Sequence, residues 1–136
     1  MKAHISIITL GVKDVAKASQ FYEKIGFEIT RMADIAFIKT KGTWLSLYAL
    51  ESLAKDAAIE FPAKPRPTIT LAHNVISKEQ VDQVMHEIAE AGATVTDQPH
   101  EREWGGYSGY FQDLDGYLWE VAYNPYDPEI AVDETA

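Results

Sequence analysis

The chain has 136 residues, 46% hydrophobic and 11% aromatic, with no cysteine and a net charge of −9. That suffices for one domain, or two fused halves, with a real core, while the missing cysteines exclude disulfides, thiolate metal sites and a thiol nucleophile. The acidic balance argues against nucleic acid and anionic membrane surfaces, and no segment approaches the roughly 20 apolar residues of a membrane span.

Residues 1–12 lack the basic start and long apolar run of a signal peptide, so a soluble cytoplasmic protein is expected. The run HISIITL at 4–10 has the β-branched content of a strand. Asp14 reads as an N-cap; Val15, Ala18, Phe21, Tyr22 and Ile25 follow at helical spacing, and Gly26 is a C-terminal stop. Strands are expected at 27–32, 35–40 and 43–49, with Lys41-Gly42 as a turn. Residues 51–67 read as a linker in which Pro62, Pro65 and Pro67 block regular structure. A strand follows at 68–73. Ser77 and Gln80 form a capping box, and Val81, Val84, Met85 and Ile88 make an apolar helix stripe that Gly92 ends. Strands at 93–97, 107–113 and 117–123 complete the pattern, the last two joined at Asp115-Gly116, with Asp113 and Asp115 capping backbone N–H groups. Asp127, Glu129, Asp133 and Glu134 have no basic neighbour in the last ten residues, which predicts a frayed, solvated tail over 126–136.

The order is βαβββ, linker, βαβββ, and the letters repeat with it. ITL at 8–10 returns at 69–71, KIGFEIT at 24–30 parallels EAGATVT at 90–96, and the strand after Gly42 parallels the strand after Gly116. The expected fold class is α+β. Two βαβββ modules, at 1–50 and 68–125, each form a curved, mostly antiparallel sheet with a helix on its outer face, and together make one domain over 1–125.

The closing stretch WGGYSGYFQDLDGYLWEVAYNP, at 104–125, places one carboxylate, Glu120, in an otherwise apolar strand. A buried unpaired charge is costly, so Glu120 needs a role. This stretch, together with GVKDVAKASQFYEKIGF at 11–27 and the paired modules, resembles the vicinal oxygen chelate superfamily of glyoxalase I, extradiol dioxygenases, fosfomycin-resistance enzymes and bleomycin-binding proteins. The resemblance implies a cavity lined by the concave sheet faces, and a homodimer. It also implies a metal position at Glu120, because the metalloenzymes take one ligand from the opening and one from the last strand of each module. Here those positions are Ile7, Ser46, Thr68 and Glu120. Only Glu120 is a good ligand; a divalent ion needs several converging donors. The expectation is therefore no metal, hence no glyoxalase I or dioxygenase chemistry.

Side chains alternate along a strand. If Trp119 and Val121 cover the helix, Leu118, Glu120 and Ala122 face the cavity. The repeat carries this frame to Trp44, Ser46 and Tyr48, and to Ile5, Ile7, Thr9, Thr68 and Thr70 on the opening strands. Trp104 and Tyr107, flanking Gly105-Gly106, and Tyr110 join the candidate ligand-binding set, with Phe111 facing the core. His4 and His73 have the opposite parity. His86 falls on the second helix, and His100 in a loop with Glu101 and Glu103.

Three roles stay open for Glu120: a polar relic of a lost metal site, an anchor for a cationic ligand helped by aromatic walls, or a general base. The leading reading is a small-organic-molecule binder without a cofactor. The alternatives are a lyase, isomerase or dioxygenase using Glu120 as catalytic residue with a non-standard metal, and a protein that sequesters a basic antibiotic.

Overall fold

Asp14 and Ser77 each start the helix that organises one half of the chain. In the computed structural model, which describes residues 1–136, Asp14 is extended (φ −140°) and its carboxylate accepts the Lys17 N–H at 3.0 Å. Helix α1 (Val15–Lys24) follows. Gly26, at φ +106°, ends it, with the Phe27 N–H returning to the Tyr22 carbonyl at 3.0 Å; a positive φ there favours glycine. The chain divides into two units, Met1–Pro65 and Arg66–Ala136.

In the first unit, β1 (Ile7–Val12), β2 (Ile29–Met32), β3 (Ile35–Ile38) and β4 (Trp44–Ala49) form a sheet in the order β1-β4-β3-β2. β1 and β4 are parallel; the other pairs are antiparallel. Val15, Ala18, Phe21 and Tyr22 of α1 are buried with Leu10, Ala36, Ile38, Leu45 and Leu47 of the sheet, each large side chain contributing about 1.5–3 kcal/mol.

In the second unit, β5 (Thr70–Asn74), α3 (Lys78–Glu90), β6 (Thr94–Glu101), β7 (Tyr107–Gln112) and β8 (Leu118–Tyr123) repeat the arrangement in the order β5-β8-β7-β6, with β5 and β8 parallel. Val81, Val84, Met85 and Ile88 of α3 are buried. On the sheet, Trp119 stacks on Phe111 at 6.0 Å between centroids, 6° from parallel. The β7–β8 turn is held by Asp113, whose carboxylate accepts the N–H groups of Asp115 and Tyr117, both at 2.9 Å. The paired βαβββ fold expected from the sequence is present.

Four details differ from the sequence reading. Residues 51–67 are not all linker, since helix α2 (Leu50–Ala57) occupies the start of that stretch. The prolines begin only at 62, and LESLAKDA before them is helix-compatible. It lies over Gly11, where an added Cβ would come within 2.6 Å of the Leu50 Cδ1. The repeated ITL is out of step with the fold. Asp14 and Ser77 cap equivalent helices, Ile7 pairs with Trp44 at the start of β4, and Thr70 pairs with Leu118 at the start of β8. Ile7 therefore corresponds to Thr70, and Thr68 lies ahead of β5.

Strand β6 runs through Pro99 to Glu101, so His100 is a strand residue rather than a loop one. An edge strand has one row of N–H groups without a partner strand, which lets it hold a proline, and register shifts interrupt its pairing with β7 either side of Asp97. Finally, the tail is not frayed. After a 3₁₀ turn at Pro128–Ile130, the Val132 N–H bonds the Asn74 carbonyl at 2.9 Å. The Gln80 side chain donates to Asp133 at 2.8 Å and accepts the Glu134 N–H at 3.2 Å. Ser77 caps the Gln80 N–H at 3.2 Å, while the Gln80 side chain serves the tail.

Candidate functional site

In the second unit, pairing with β7 and β5 sets the surroundings of Glu120. Tyr110 lies directly opposite it and Ala72 beside it. Trp119 and Val121, on the other face, are buried. Glu120 itself is half-buried. Burial above all, then the nearby Glu120 carboxylate, raises the Tyr110 phenol above its ordinary range.

Arg102 completes the group. Its guanidinium carbon sits 5.2 Å from the centroid of the Tyr110 ring, a cation–π distance. Nε donates to the Ser108 hydroxyl at 2.8 Å, Nη2 to the Ser108 carbonyl at 2.9 Å, and Nη1 pairs with the Asp97 carboxylate at 2.9 Å. His100 Nε2 lies 3.1 Å from the same Asp97 oxygen. The His100 bond first, then Arg102, holds the Asp97 carboxyl below the usual range. The sequence reading did not single out Arg102. Its place depends on a fold-back of residues 102–106 that has no periodic signature.

In the first unit, Ser46 stands where the second has Glu120. The hydroxyls of Thr9 and Ser46 bond each other at 2.7 Å, and Ser46 is buried. Lys39 Nζ lies 5.0 Å from the Trp44 ring centroid. Tyr48 donates to Asp56 of α2 at 2.7 Å, which pushes its phenol up to about 12. Ile7 is 42% exposed.

The remaining candidates fall elsewhere in the second unit. Tyr107 does not share the Tyr110 face. It has the parity of Phe111, and its hydroxyl donates to Asp82 of α3 at 2.7 Å, raising the phenol to about 12. Having placed Phe111 toward the core, the alternation already required this. Trp104 is 48% exposed, its ring folded over Gly106. Thr68 and Thr70 are exposed. Of the histidines, His4 precedes β1; His73 pairs with Glu134 at 2.5 Å, and His86 with Glu90 at 3.3 Å. Nowhere do three or more His, Asp or Glu side chains gather as a metal cage. No helix is long and apolar enough to cross a membrane.

Residues 4–121 match the family model for the glyoxalase/bleomycin resistance protein/dioxygenase superfamily. The chain belongs to that superfamily. A glyoxalase-related enzyme from Fulvimarina pelagi is 30% identical, with a TM-score of 0.85 over 90% of this chain and 89% of its own. The hypothetical protein SA1046 from S. aureus is 26% identical, with a TM-score of 0.79 over 91% and 95%. A glyoxalase/bleomycin resistance protein/dioxygenase family enzyme from Burkholderia phytofirmans, 22% identical, superposes with a TM-score of 0.78 over 89% and 98% and shares the fold. No curated protein sequence matches the chain.

Proposed function

We propose that this superfamily member binds a small organic molecule at the Glu120 face of the second unit, without the metal centre of the superfamily's metalloenzymes. The carrying observation is the Tyr110–Glu120 pair, a carboxylate directly opposite a phenol on a half-buried sheet face. The donor chemistry does not fit a divalent ion. At the four inferred positions Glu120 is the sole charged donor, Ile7 has no donor atom, and the Ser46 hydroxyl is spent on Thr9. A carboxylate beside an aromatic ring suits a ligand with an ammonium or other N–H donor on an aromatic body. The reading includes a homodimer in the cytoplasm, the dimer to be checked by sedimentation.

The first test pairs elemental analysis with thermal melts in Ni²⁺, Zn²⁺, Mn²⁺ and Fe²⁺. No bound metal and no shift are expected; about one metal per chain would overturn the metal-free reading. A titration with benzylamine, against neutral benzyl alcohol, then probes the anchor. Glu120→Gln is expected to weaken benzylamine binding about 10- to 100-fold, the worth of a charge-assisted hydrogen bond, and to leave benzyl alcohol unchanged. The description of the 30% identical relative as a glyoxalase-related enzyme favours a second reading, metal-dependent lyase, isomerase or dioxygenase chemistry using Glu120. A bound metal in the first test would select it.

A further inference from the structure

We propose that Arg102 is the positioning residue of this site, fixing the Tyr110 ring beside Glu120. The inference rests on the reading of Glu120 as the ligand anchor. Three features of the geometry carry it.

The backbone that delivers Arg102 is tightly determined. The Arg102 N–H bonds the Gly106 carbonyl at 2.8 Å, and the Gly105 N–H bonds the Arg102 carbonyl at 3.0 Å. Gly105 has φ +103° and lies under Tyr126, whose hydroxyl would stand 2.4 Å from an added Cβ; a Cβ on Gly106 would strike the Trp104 ring at 1.8 Å. Two aromatic rings thus cover the fold-back that turns Arg102 toward the sheet.

The guanidinium is also fixed in orientation. Three of its nitrogens are engaged, two by Ser108, which is fully buried, and one by Asp97. A planar fork held at three points has one orientation, which an ammonium cannot reproduce. Its charge is met by Asp97, so it is no free hook for an anionic ligand. What remains for it is its place over the Tyr110 ring.

Tyr110, finally, is the link to the anchor, because it faces Glu120 across the β7–β8 pair. Arg102 therefore acts on the ligand through Tyr110.

The test uses the full chain labelled with ring-¹³C tyrosine, the Tyr110 signals being assigned by Tyr110→Phe. Arg102→Met is expected to move the Tyr110 ring resonances, with those of Tyr48, in the other unit, unmoved. It should also weaken benzylamine binding about two- to fivefold, the worth of an exposed cation–π contact. In a Tyr110→Phe background it should weaken binding no further, since both changes break one chain of contacts. Arg102→Lys, the milder variant, should move the same resonances, and it decides if Arg102→Met does not fold. Unmoved Tyr110 resonances in a folded variant, or additive losses in the double mutant, would overturn the assignment. If benzylamine fails to bind the parent chain, the proposed function falls while the ligand-free resonances still decide the role of Arg102.

Discussion

The two units build the same sheet and put opposite chemistry on equivalent positions. In the first, Ser46 of β4 is buried and closed by Thr9, and Tyr48 is tied down by Asp56 of α2. In the second, Glu120 of β8 stands directly opposite Tyr110, whose ring is itself overlaid by Arg102. The scaffold thus tolerates either a hydroxyl or a carboxyl side chain at this position. The neighbouring strand and the covering segment decide which. α2 lies over one face, whereas the second unit uses an arginine folded back from a loop.

The largest way to test the comparison is through the core beneath each face. Trp119 and Leu45 occupy equivalent helix-facing positions on β8 and β4, 6% exposed in both cases. Trp119→Ala is expected to cost about 3–5 kcal/mol and Leu45→Ala about 2–3 kcal/mol, measured by urea unfolding; equal costs would show that the larger Trp119 ring holds its unit no more strongly than Leu45 holds the other. Gly11→Val should cost about 1–3 kcal/mol by forcing the Leu50 and Leu53 side chains to repack, and hydrogen exchange in α2 should quicken while that in α3 stays the same. Ser77→Ala should cost about 1 kcal/mol, the usual worth of an N-cap, with loss of helical signal confined to the start of α3.

The smallest effect concerns acid. Asp97 has its folded pKa depressed by His100 and Arg102. The stabilisation it gives is therefore present above the unfolded value, about 3.9, and disappears as pH falls through the folded one. Asp97→Asn should lower stability slightly at neutral pH and flatten the acid limb below about pH 4, the variant converging on the parent as pH falls. An unchanged limb would mean that this cluster is too solvated to matter.

Much of this was legible in the sequence because it rests on local chemistry. Asp14 and Ser77 as caps, Gly26 and Gly92 as stops, and the alternation through Trp119, Glu120 and Val121 are each set by a few adjacent residues. What was missed depends on contacts distant in sequence. α2 was hidden because prolines further on dominated the stretch. The tail was misjudged because its anchor, Gln80, lies more than 50 residues before it. Arg102 gave no signal, since its meaning comes from Ser108, Asp97 and Tyr110 meeting it after the loop folds back. For Tyr107, the rule was available and misapplied, because counting back from Phe111 gives the observed face.

Strand β6 carries a last consequence. It is the open margin of its sheet, yet its pairing is irregular and Pro99 removes one N–H donor. Such a margin is a poor template for another chain to extend. At high concentration, copies of this protein are thus discouraged from zipping together along β6 into extended sheets, and any symmetric pairing between them is steered to other surfaces.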